Sequence, residues 1–173
     1  MKRVVRTLAP MAEAPEVGRW LSAMVDGRSD TLRELEGVSD PMVDLRPSGS
    51  ENSIGTALYH VALIEADWLI DDILGVTLGD SELGRLFPYA DRDSSGRLTD
   101  VSGMSLALHL RRLAAVREVL IQRLHPMSVE DFHAPRRREH YDVSPAWVVH
   151  HLLQHESEHR AEIGWLKRRT ASG

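Results

Sequence analysis

The sequence predicts an all-α chain folded as a four-helix bundle of up-down-down-up topology. Four stretches of about 20 residues each repeat apolar side chains at helical intervals. No run of alternating polar and apolar residues marks a strand. One connection, residues 75–102, is much longer than the others and can carry the chain back along the bundle.

Residues 1–13 form a lead-in without periodicity. From Pro15 the apolar positions Val17, Trp20, Leu21, Met24, Val25, Leu32 and Leu35 define helix one, to about Glu36, with Gly27 inside it. Gly37 to Ser50, carrying Pro41, Pro47 and Gly49, is a connector. Asn52 or Ser53 caps helix two, which runs to about Leu74 on a stripe of Ile54, Ala57, Leu58, Val61, Ile64 and Trp68. His60 stands at one edge of that stripe with Thr56 and Asp67, and Glu65 at the other. Helix three runs from about Gly103 to Leu124 on Leu106, Leu110, Leu113, Val116, Leu120 and Leu124, and His125-Pro126 ends it. Residues 127–143 are a polar connector with a short turn near Val129–Phe132. Ser144 caps helix four, Pro145 opens it, and only Gly164 interrupts it before about Arg169. Such a helix spans about 30 Å, which the long connector crosses easily, so helices two and three are expected parallel and helices two and four antiparallel.

The chain is expected to form one domain over residues 1–173, with 42% hydrophobic and 27% charged residues supplying a core and a solvated surface. There is no cysteine, which excludes disulfides, thiolate ligands and a cysteine nucleophile and fits a cytoplasmic protein. Any metal must be held by His, Asp or Glu. A net charge of −5 argues against nucleic acid as the main partner, and Arg136-Arg137-Arg138 reads as a solvated loop. Neither a signal peptide nor a membrane-length apolar run is expected.

The segment His150-His151-Leu152-Leu153-Gln154-His155-Glu156-Ser157-Glu158-His159 concentrates the chemistry. With His155 at zero degrees on a helical wheel, Val148, Leu152, His159, Ile163 and Leu166 fall within about 80 degrees of it. His155 and His159 therefore share the core-facing stripe, one turn apart. His151 and Glu158 lie on one flank and Glu156 on the other. Two buried imidazoles need partners. They are either satisfied core histidines or, because the i, i+4 spacing lets both rings reach one ion, metal ligands that require a third. In antiparallel helices His60 lies within about 3 Å of the height of His159, whereas His151 is about 15 Å off. The set is then His60, His155 and His159, with His151 at the mouth of the site.

His155-Glu156-Ser157-Glu158-His159 also spells the zinc-protease pattern H-E-x-x-H. Its extended form wants glycine at 162 and histidine at 165, where this chain has Glu162 and Trp165. Proteolysis is set aside on that ground. Glu65, Asp67, Glu156 and Glu158 are candidates for a base or a partner to the ligands, each weighed against a plain surface salt bridge. Trp20, Trp68, Trp147 and Trp165 sit at helical positions and read as core.

Two segments resemble a known family. Ser53-Ile54-Gly55-Thr56-Ala57-Leu58-Tyr59-His60-Val61-Ala62 is similar to the second helix of DinB-like proteins (the DinB/YfiT superfamily), where an S-I-G opening precedes a metal-binding histidine. Ser144-Pro145-Ala146-Trp147, followed by His155-x-x-x-His159-Arg160-Ala161-Glu162-Ile163, resembles that family's last helix, whose usual form is H-x-x-x-H-R-G-Q-I. The resemblance covers roughly residues 12–170 in spacing and helix order, and Ala161 and Glu162 depart from the usual Gly-Gln. It implies a four-helix bundle, often a homodimer, with a divalent metal on His60, His155 and His159. Family members include metal-dependent thiol transferases and a thiol-dependent isomerase. The expectation is a metal enzyme, zinc or nickel, that transfers an exogenous low-molecular-weight thiol to a small electrophilic substrate, or a related hydrolase. Glu65, Glu156, Glu158 and His151 are candidates around the ligands. The alternatives are a non-catalytic metal-binding stress or damage-response protein and a helical interaction module.

Overall fold

The computed structural model describes residues 3–170. Four long helices dominate: α1 (Pro15–Glu34), α3 (Ile54–Asp67), α4 (Leu106–Leu124) and α6 (Pro145–Thr170). Two short ones, α2 (Asp40–Val43) and α5 (Val129–His133), lie in the first and third connectors. The starts follow capping chemistry. The Ser53, Ser105 and Ser144 hydroxyls accept from the backbone N–H groups of Thr56, Leu108 and Trp147. The Ser105 cap places the start of α4 three residues beyond the expected Gly103.

Contacts along the helices set their directions. Gly55 faces His109 and Glu65 pairs with Arg117, so α3 and α4 run parallel. Asn52 meets Glu162 while Trp68 meets Trp147, so α3 and α6 run antiparallel. Trp20 lies against His150 and Lys167 bonds the Glu34 carbonyl, so α1 runs parallel to α6. This is the up-down-down-up bundle, and the passage through residues 75–102 makes the parallel pair possible.

Three features differ from the sequence reading. First, α3 is buried on nearly every face, from Ile54 to Ala66, because α4, α6 and the long connector all pack on it. Second, the helical segment does not continue regularly to Leu74. From Trp68 to Ile73 it widens to a π-helix, with the Leu74 N–H bonded to the Leu69 carbonyl five residues back. Gly75, at φ +71°, then ends it, and Val76 N–H reaches the Ile70 carbonyl at 3.0 Å. Third, residues 127–143 contain a two-stranded antiparallel hairpin, β1 (Arg136–Arg137) with β2 (Asp142–Val143), Arg136 opposite Val143. The strands are too short for alternation to register in the sequence.

On α1 the buried face is Val17, Leu21, Met24, Arg28 and Thr31, continued by Leu35 just past its end, and the expected Leu32 is exposed. The face keeps its spacing, but Arg28 and Thr31 occupy it because a buried polar cluster lies opposite. Before α1, the lead-in crosses Gly18, whose carbonyl accepts from Met11 N–H at 3.2 Å. A Cβ at Gly18 would stand 2.6 Å from Ala12 N and 2.7 Å from Met11 N. Gly18→Ala is therefore expected to push the lead-in off the helix and cost about 1–3 kcal/mol. Urea unfolding measures it, and an unchanged midpoint would contradict the contact.

Candidate metal centre

The antiparallel packing of α3 on α6 brings His60 between His155 and His159. Ring centroids lie 4.8 Å apart for His60–His155, 4.8 Å for His60–His159 and 4.7 Å for His155–His159. The Nε2 atoms of His60 and His155 are 3.0 Å apart. One nitrogen from each of the three rings lies within 4.8 Å of the others. An ion bonded to each nitrogen at about 2.0–2.1 Å holds any two of them at most about 4.2 Å apart, so the widest pair closes slightly when the three imidazoles share one.

Two of the rings are held from outside by carboxylates. His60 Nδ1 donates to Asp91 Oδ1 at 2.5 Å, and His159 Nδ1 donates to Glu162 Oε2 at 2.8 Å. A neutral imidazole with its proton on Nδ1 has its lone pair on Nε2, so both contacts leave the inner nitrogen of the ring free to coordinate. Asn52 Nδ2 donates to the other Glu162 oxygen at 2.7 Å and keeps that carboxylate in place. Asp91 and Glu162 were not among the sequence candidates. Asp91 lies 31 residues from His60 in an irregular connector, where no periodicity reports proximity. Glu162 had a signal, since it lies one turn after His159 where the resembling family has glutamine.

Burial lowers the His60 pKa; the Asp91 carboxylate offsets this in part, and the neighbouring His159 adds to the lowering. Burial also lowers His155, to about 3, helped by the other histidines. Both rings are neutral at neutral pH, the form that binds a metal. His155 Nδ1 is buried without a hydrogen-bond partner, and its Nε2 meets His60 Nε2 at 3.0 Å, the contact that a shared ion would replace. The donor set fits a divalent ion.

His151 lies outside the cluster. Its ring stacks on Trp147 at 5.1 Å with a 10° interplanar angle, contacts Trp68 at 5.0 Å and lies 6.0 Å from His155. Glu158 is exposed on α6. Glu65 and Glu156 are buried, but their oxygens serve another purpose. Arg28 from α1 and Arg117 from α4 occupy all four, with contacts of 2.6 Å from Arg28 to each glutamate and of 2.6 and 2.8 Å from Arg117 to Glu65 and Glu156. Each long helix thus supplies one member of a neutral buried network. The carboxylates that reach the histidines are Asp91 and Glu162 instead.

Asp67 lies two turns beyond His60 on the same face of α3. With Asp91 it lines a cavity of about 380 Å³ bounded by Leu78, Phe87 and Pro88. Burial, then a shared hydrogen bond with Asp71 and the charges of Asp71, Asp72 and Asp91, push its pKa up to about 7.

A family model described as the DinB superfamily matches residues 23–163, most of the chain and all three histidines. The chain belongs to the DinB superfamily. Among curated proteins, none matches it. The DinB match spans all of α3 and α4 and most of α1 and α6, so the family's helices and the histidine cluster coincide in one architecture. Among the described residues, no helix is long and apolar enough to cross a membrane.

Proposed function

We propose that His60, His155 and His159 hold one divalent metal ion, and that this DinB-superfamily protein uses it to transfer a small exogenous thiol to an electrophilic substrate. The observation that carries the reading is the convergence of three ring nitrogens, two of them with the outer nitrogen committed to a carboxylate. A divalent ion with three neutral ligands keeps open positions and its full charge, and it lowers the pKa of a bound thiol or water. Zinc or nickel suits imidazole and thiolate together. The chain has no cysteine, so the thiol comes from outside and no internal thiolate competes for the site.

Asp91 and Glu162 orient the ligands. The thiol proton passes to solvent as the carbon–sulfur bond forms, and the displaced electron pair stays with the substrate's leaving atom. The small-molecule substrate and the homodimer belong to the same proposal, and light scattering tests the latter. Metal content of the purified protein comes first, followed by a panel of cellular thiols with a generic electrophile. Activity present in the metal-loaded protein and absent in His60→Ala supports the transfer. If no thiol binds the loaded metal at millimolar concentration, the non-catalytic metal protein replaces it.

Asp91→Asn tests the outer carboxylate. The amide keeps the shape but removes the negative charge that favours His60 as a donor, and metal affinity is expected to fall about 10–100-fold. Competition with a chromogenic chelator measures it. Unchanged affinity would show that Asp91 merely packs against the ring.

A further inference from the structure

A second cavity of about 540 Å³ opens between the π-helical turn, the hairpin and the start of α6, with the His151 ring between it and the histidine cluster. Its volume is that of a small-molecule site. Three aromatic rings form its walls. Trp68 lies 5.4 Å from Trp147 at 50° and 6.2 Å from Tyr141 at 46°. The three rings are tilted into a corner rather than stacked on one another; His151 covers one face of Trp147, and a guest meets the rings from the cavity side. Trp147 is 48% exposed and Tyr141 49% exposed, although the helical position of Trp147 alone reads as core. Two large aromatic side chains left half in water at one opening call for a reason other than folding.

The electrostatics choose the guest. Tyr141 donates to Asp72 Oδ1 at 2.7 Å, and the charge of Asp67 also reaches the phenol. Asp142 lies in the wall itself. Asp71, on the same π-helical turn, interacts with Asp67. The hairpin also carries positive groups, with Arg137 opposite Asp142. Arg138 Nε sits 3.4 Å from Asp72, and His133 at the rim is bonded to Glu16 at 2.7 Å. Aromatic faces carry negative quadrupole charge, and Asp142 in the lining and Asp72 on the Tyr141 hydroxyl add to it, so a positive group gains first from the ring faces. We propose that this corner of Trp68, Trp147 and Tyr141 binds the ammonium group of an organic cation.

His151 links the corner to the cluster. It touches Trp68 and Trp147 on one side and lies 6.0 Å from the His155 ring on the other. The His151 ring therefore stands between the corner and the cluster, and the binding of the cation does not depend on the metal reading above.

The test is titration of the full chain with choline, followed by tryptophan fluorescence and calorimetry, with and without added zinc. The neutral isostere 3,3-dimethylbutan-1-ol is the control. Choline is expected to saturate the response and to bind at least about tenfold more tightly than the isostere. Trp147→Leu keeps an apolar side chain at a half-exposed position, and it is expected to weaken choline about tenfold while circular dichroism stays unchanged. Equal binding of the isostere would mean a merely apolar pocket and overturn the proposal, as would the absence of any saturable response to choline. Undiminished choline binding by Trp147→Leu would overturn it too. Choline binding in a chain that takes up no zinc would sink the metal reading and leave this one standing.

Discussion

Arg117→Met is expected to destabilise the protein by about 3–5 kcal/mol, because it leaves Glu65 and Glu156 buried with only one positive charge between them. In the intact network two arginines face two glutamates, and the arginines also reach the Leu113 and Met24 carbonyls. Every carboxylate oxygen has a partner, and the charges balance. Removing one arginine strands a carboxylate where water cannot follow. The double variant Arg117→Met with Glu156→Gln restores the charge balance and should cost less than the sum of the two single changes. Urea unfolding of the metal-free protein measures all three, and a loss under about 1 kcal/mol for Arg117→Met would mean that the network is not buried as described.

The same network shapes acid stability. Burial alone would raise the Glu156 pKa, but the charges of Arg28 and Arg117, with hydrogen bonds from Arg28 and Thr31, overcome it and hold the group down to about 2 from its ordinary 4.5. A depressed carboxylate contributes stability that is complete above 4.5 and is lost as pH falls from 4.5 through about 2. His155 acts over a higher window. Its folded pKa of about 3 lies below the ordinary 6.5, so the unfolded chain takes the proton first and stability also declines as pH falls between those values. Metal-free protein should therefore weaken gradually below 6.5 and more steeply below 4.5. Glu156→Gln should lower stability across the range, remove the added steepness below 4.5 and keep the gradual decline below 6.5.

Loss of any one ligand is the second large effect. His60→Ala, His155→Ala and His159→Ala are each expected to loosen the metal by more than about 100-fold, beyond the cost of disturbing an outer partner. His151→Ala should leave the affinity close to its unaltered value, since His151 rests on Trp147 and Trp68 rather than in the cluster. Chelator competition on the four variants separates the cases. If all three ligand variants keep the metal, the histidines are core residues. If His151→Ala strips it while His159→Ala keeps it, the assigned register of α6 is wrong.

Much of the architecture is local information and could be read from the chain alone. Serine caps, Pro145 and 3.6-residue periodicity depend on neighbours within one turn, so the four long helices and their approximate ends were legible. The spacing of His155 and His159 put both rings on one face for the same reason. Chain length in the long connector was enough to expect the parallel pair. The sequence also separated His60 from the background through helix height and through a family resemblance.

What only the tertiary structure decided involves residues far apart in sequence. Arg28, Glu65, Arg117 and Glu156 each look like an ordinary charged residue at the edge of a helix. They are buried because four helices bring opposite charges to one level, a relation that no single helix records. Asp91 lies in an irregular connector whose path is set by contacts such as the Tyr59 hydroxyl with the backbone of Tyr89. The half-exposed Trp147 has core-like spacing, yet it opens onto a cavity because the hairpin and the π-helical turn stand away from it. Periodicity reports which way a side chain faces along its own helix. What it meets there depends on the packing of elements distant in the chain.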